Sequence, residues 1–162
     1  MRQQARRELL AESGKHAITA KLRKIPSLGP IRSALAVALI QTPHRFRSKR
    51  QLWTYSGLGL ETRDSGEYHF VKGQPRRRKR QATIRGLNKD YNHDLKGLFK
   101  GAATRASVKP GPFQEFYQRS LAKGIKPTMV RLTLARKIAA ITLTLWKKGE
   151  DFDINKLNSQ AA

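Results

Sequence analysis

A chain of 162 residues with 38% hydrophobic content can bury one modest core, which leaves little room for a two-domain enzyme. Thirty-four Lys and Arg against eleven Asp and Glu give a formal charge of +23 and an isoelectric point near 11.3, far beyond what solubility needs, so a polyanionic partner is expected. With no Cys there are no disulfides, thiolate nucleophiles or Cys-based zinc sites, and the longest apolar run, residues 34–40, is too short to cross a bilayer.

The first element is a weak helical pattern over residues 5–23, in which Leu9, Leu10, Ala17, Ala20 and Leu22 recur among Lys, Arg and Glu. Ser13-Gly14 interrupts it, giving one bent helix or two. After the turn in "KIPSLG", Ile31, Ala34, Leu35, Ala38 and Leu39 return at helical spacing, with Pro30 in a first turn where its missing N–H would have no partner. That helix is expected to stop before Pro43. A short helix over residues 48–55 follows, with Ser48 as N-cap and Gly57 as terminator. Trp53 and Tyr55, beside Leu52 and Leu58, read as core.

Helical periodicity then disappears over residues 58–84. Tyr68 and Phe70 alternate with His69 and Val71, Gly73-Gln74-Pro75 marks a turn, and Ala82-Thr83-Ile84 can return extended, so a small β-hairpin or ribbon is expected with "PRRRKR" at its tip. Three helices follow. Tyr91, Leu95, Leu98 and Ala102 form the first stripe, starting near Asn88; Phe113, Phe116, Tyr117 and Leu121 form the second, from Pro112 to about Gly124. The third starts around Pro127 and carries Val130, Leu134, Ile138, Ile141 and Leu145, with Leu132, Leu143 and Trp146 elsewhere on its surface. A helix apolar nearly all round belongs at the centre of the core. Beyond Gly149 the acidic "EDFD" and the polar tail are expected to fray.

The expected fold is therefore mainly α: a helix-hairpin-helix over residues 20–42, a small β-hairpin or ribbon, and a three-helix C-terminal bundle. Residues 1–19 form a helical arm, 20–153 the domain itself and 154–162 a tail.

The basic residues are spread along the chain and mixed with aromatics, which favours nucleic acid over a membrane surface. In a helix-hairpin-helix, a Gly-containing turn leaves backbone N–H groups and the positive end of a helix dipole free to hold a phosphate. "IPSLGPIRSA" has that form, with Lys24, Ser27, Gly29 and Arg32 as candidate contacts and Lys21 and Arg23 adding charge. Ser27 stands where the pattern usually has its first Gly, so a left-handed backbone there carries a cost; a plain helix connector is the alternative. The second candidate is the run Arg76, Arg77, Arg78, Lys79 and Arg80 with Lys72, which would position a nucleic-acid backbone without reading bases.

Ser65, in "ETRDSGEYHF", lies between two extended pieces, where Ser-Gly is ordinary turn chemistry. His16, His44, His69 and His93 lack metal-ligand spacing, and the carboxylates are scattered or crowded into residues 150–153. The basic N-terminus has no apolar segment of a secretory signal behind it, so a cytoplasmic, nucleoid-associated protein is expected.

Taken in order, "IPSLGPIRSALAVAL", "PHRFRSKRQLWTYSGLGLETRDSGEY", "IRGLNKDYNHDLKGLFKGAA" and "FYQRSLAKGIKPTMVRLTLARKIAAITLTLWKKGEDFD" resemble the C-terminal domain of the DEDD insertion-sequence transposases, the IS-one-ten family, over roughly residues 20–153. The resemblance implies a DNA recombinase with an N-terminal RuvC-like domain that holds Mg2+ on an acidic cluster, and a C-terminal helical domain that supplies a catalytic serine. Ser65 is the residue of this chain that falls in the serine-bearing segment. Arg63, Lys72, Arg76, Arg77, Arg78 and Arg85 are then the local cations for the charge that builds at phosphorus. The resemblance also implies DNA as partner, a homo-oligomer and, in part of the family, a guide RNA. Since no RuvC-like strand array precedes residue 20, a truncated copy, inactive alone and without a cofactor of its own, is expected. The alternative is a noncatalytic helix-hairpin-helix nucleic-acid-binding module.

Overall fold

The structure is a computed structural model that describes residues 1–63, 68–77 and 83–154. Helix α1 (Arg2–Gly14) and α2 (Ala17–Leu22) are separate helices, because His16 is extended at φ −102° and ψ 109° and breaks the ladder between them. Both pack against α3 (Gly29–Ile40). A 3-10 turn (Pro43–Arg45) leads to α4 (Lys49–Tyr55), which begins, as expected, with the Ser48 hydroxyl accepting the Gln51 N–H. Gly57, at φ 65°, ends that segment, and a Cβ there would stand 2.5 Å from the Tyr91 ring. The position therefore requires glycine for its backbone and for the close approach of the ring.

Four short strands come next: β1 (Leu60–Arg63), β2 (Tyr68–Val71), β3 (Gln74–Arg77) and β4 (Thr83–Leu87). They pair in nested fashion, β1 antiparallel to β4 and β2 antiparallel to β3. The turn of the inner pair is Lys72-Gly73, both at positive φ (52° and 76°), and Gln74 and Pro75 already lie on β3. This corrects the expected turn at Gly73-Gln74-Pro75 and moves Arg76 and Arg77 from the tip onto the returning strand. The expectation took Pro as a turn marker, whereas an edge strand tolerates Pro because it lacks only a donor that would face solvent.

Helix α5 (His93–Val108) starts later than expected, on an Asn92 side chain that accepts the Leu95 N–H at 2.8 Å. Asn88 is instead committed to a turn: its amide donates to Thr54 O (3.1 Å) and Asp90 O (2.7 Å), and its Oδ1 accepts the Asp90 N–H (3.2 Å). Such side-chain bonds to nearby backbone compete with helix formation. Tyr91 accordingly sits before the helix, not on its stripe.

Helices α6 (Pro112–Ala122) and α7 (Pro127–Lys148) each open on a proline in the first turn. Val130, Leu134, Ile138, Ile141 and Leu145 of α7 are all buried, and α7 packs against α2, α4, α5 and α6, which makes it the central helix. Leu22, Ile25, Leu28 and Ile40 join Phe99, Phe113 and Leu134 in a single apolar cluster, so α2, α3 and the turn between them share the core of the last three helices. Gly149 closes α7 in the left-handed conformation. The acidic segment beyond it does not fray as expected. Lys21 Nζ donates to Gly149 O, Asp151 pairs with Lys24 at 2.8 Å, and Phe152 packs 6.0 Å from Phe113. One aromatic in an acidic tetrapeptide supplies the apolar anchor that a charge count overlooks. Residues 155–162, the rest of the expected tail, lie outside the described residues.

Candidate nucleic-acid interface

The α2–α3 turn is built on two left-handed residues, Ser27 at φ 72° and Gly29 at φ 54°. Ser27 therefore adopts the backbone for which the pattern ordinarily uses Gly, at the steric cost that a side chain brings there. Arg32, one turn into α3, braces it: Nη1 donates to Ser27 O at 3.2 Å, and the guanidinium lies against Gly101 of α5, where a Cβ would come within 3.3 Å of Nη2. The Ser27 hydroxyl is buried without a hydrogen-bond partner.

This turn forms one wall of a cleft of about 460 Å3, and the α5–α6 connection forms the other. Arg23, Lys24, Arg32, Arg105 and Lys109 line it, and among the described residues no carboxylate does. Gly29 begins α3 and Gly111 precedes α6 on the same cleft, and neither helix has a side-chain cap on its first turn. The positive ends of two helix dipoles thus add to five cations. Two adjoining concavities, of about 550 and 850 Å3, meet this one at Arg32 and Arg105.

Lys24, a sequence candidate, is shared with the Asp151 carboxylate, whose pKa is lowered chiefly by the Lys24 hydrogen bond, with desolvation opposing it and the charges of Lys24 and Lys21 adding to it. Lys24, Ser27, Gly29 and Arg32 are brought together as the sequence suggested. Arg105 and Lys109 were not foreseen, because cations near a helix C-terminus read as ordinary dipole partners and only the fold carries them across to residue 32.

The other candidates lie on the strands. Lys72 and Arg76 are exposed; Arg63, Arg77 and Arg85 occupy positions on β1, β3 and β4. Ser65, Arg78, Lys79 and Arg80 lie outside the described residues. The root of the strand region is fastened to α7, where Arg136 Nε donates to Leu58 O at 2.7 Å and the Trp53 indole N–H donates to Arg136 O at 3.0 Å. Burial lowers the pKa of Arg136, and that of Lys137, which also feels Lys49. Among the described residues no three His, Asp or Glu side chains converge to seat a metal. Nor is any described helix long and apolar enough to cross a membrane.

Residues 19–118 match the family model described as transposase IS116/IS110/IS902 family. The chain belongs to that family. A relative, the insertion element IS116 uncharacterized 44.8 kDa protein of Streptomyces clavuligerus, is 28% identical over 116 residues, which cover 72% of this chain. The match spans about a quarter (26%) of that relative's length. All five cations of the cleft lie within the segment that matches the transposase family.

Proposed function

We propose that this transposase-family chain is a DNA-binding, serine-bearing domain that acts in insertion-sequence recombination. The observation that supports it most is the cleft, where five cations and two uncapped helix starts face one space with no carboxylate on its wall among the described residues. A DNA phosphate suits that space in charge and in its need for N–H donors, and contacts of this kind fix the backbone without reading sequence. The α2–α3 unit then serves as a helix-hairpin-helix.

In this reading Ser65 is the nucleophile. Its hydroxyl oxygen attacks a phosphodiester, a serine–phosphate ester forms as one sugar–phosphate bond breaks, and the serine proton ends on the departing sugar oxygen. The ester conserves the bond for religation. Arg63, Lys72, Arg76, Arg77, Arg78 and Arg85 are the candidates to offset the charge at phosphorus. The acidic Mg2+ site is assigned to a RuvC-like domain outside residues 1–162, and a guide RNA and a homo-oligomer are the further partners proposed. Without that domain these residues are not expected to exchange strands.

Element-end DNA incubated with the chain and a RuvC-like partner domain, then run on denaturing gels, tests this reading. A protein–DNA adduct that is lost in Ser65→Ala is expected; an adduct that persists eliminates Ser65, and failure to bind duplex at low salt eliminates the reading altogether.

A further inference from the structure

The β2–β3 hairpin turns its aromatic residues outward. Tyr68 is 64% exposed and Phe70 75% exposed, and residues 68–76 are exposed without a break. Two residues apart on one strand, the two rings share a face at a spacing of about 6.5 to 7 Å. The register sets Phe70 opposite Pro75 and Tyr68 opposite Arg77. A two-stranded hairpin with open faces is marginal in water, so these rings are poorly accounted for by packing within the chain.

Charge decides what covers them. The segment 68–77 contains Lys72, Arg76 and Arg77 and no Asp or Glu. A second copy would bring like charge onto like charge, in a chain already at +23. A polyanion with exposed flat faces meets both demands. The ring spacing is about twice the 3.4 Å rise between successive bases, which leaves one base thickness between the rings. Bases inside a duplex have both faces covered by their neighbours and cannot enter such a site.

We infer that Tyr68 and Phe70 form a stacking platform for unpaired bases of a single-stranded nucleic acid, with Lys72 and Arg76 on the flanking phosphates. This rests on the nucleic-acid reading above and adds a preference for unpaired strands, which the cleft does not supply.

Fluorescence-anisotropy titrations of the full chain with an oligothymidylate, an oligouridylate of equal length and a mixed-sequence duplex test it. Tyr68→Ala and Phe70→Ala are each expected to weaken single-strand binding by about 5- to 100-fold while leaving duplex binding nearly unchanged. Phe70→Trp, which keeps a π face, is expected to retain it. Losses on both oligonucleotides support stacking common to DNA and RNA, and a loss on one of them names the source. The inference is overturned if the double Ala variant binds single strands like the parent, if duplex binding falls equally, or if the parent forms a dimer that this variant abolishes. Duplex binding that survives such a result leaves the broader reading standing, whereas a parent that binds no nucleic acid removes both.

Discussion

Replacing Arg105 and Lys109 together by Ala removes two of the five cations that line the cleft and touches neither the α2–α3 turn nor a buried side chain. Each phosphate neutralised on duplex DNA contributes about 0.9 to the slope of log affinity against log salt, so the double variant should lose about 1.8 units of slope. If the non-ionic part of binding is unchanged at 1 M salt, that slope corresponds to a roughly 60-fold weaker complex at 0.1 M, or about 2.4 kcal/mol. Anisotropy titrations across a salt series give the slope directly. Circular dichroism should show the helices intact, since both side chains are exposed. A parallel shift of the line with no change in slope, or no shift at all, would refute the assignment of this cleft to phosphate.

Two other outcomes are set by the packing. Leu134 is fully buried at the centre of α7, so Leu134→Ala should destabilise by about 2 to 5 kcal/mol in denaturant unfolding, and a smaller loss would mean that the site collapses around the vacancy. Asp151→Asn should free Lys24 for phosphate and steepen the salt slope by up to about 0.9, while weaker binding would show that the pair holds the turn in shape. The carboxyl pKa of Asp151 is depressed in the fold, so its contribution is complete above the unfolded value and is lost only as pH falls through the lowered one; at neutral pH the substitution is the way to remove it.

The parts of the fold legible in the sequence are those set by local chemistry. Ser48, Pro112, Pro127 and Gly149 act at the ends of their helices through their own hydroxyl, ring or φ, and each stands where periodicity starts or stops. The all-round apolar surface of α7 marked the core helix for the same reason. Elements decided by competing partners were misplaced. Asn88 could have begun a helix, but Thr54 O, 34 residues away, holds its amide in a turn. Phe152 settles on Phe113, and no window around residue 152 reports that contact. Half of the cleft was legible because the α2–α3 turn is a contiguous motif; the other half, Arg105 and Lys109, is joined to it only by the packing of α3 on α5.

Helix α7 also anchors the root of the strand region and one edge of the cleft. Arg136, midway along it, holds Leu58 at the root of the strand region, and Gly149 and Asp151, just past its end, hold Lys21 and Lys24 beside the cleft. Residues 136 and 149 of a helix are separated by about 20 Å along its axis. The first attachment runs to a side chain on a helix whose Val130, Leu134, Ile138, Ile141 and Leu145 are buried, whereas the second runs to Gly149 and Asp151 in the exposed segment that follows it, held to the core by Phe152 on Phe113. Sites fixed by packed elements hold their geometry better than sites on loops. The root of the strand region is therefore the more firmly held of the two, and the Lys24 edge of the cleft depends on how Phe152 seats the acidic segment on the core.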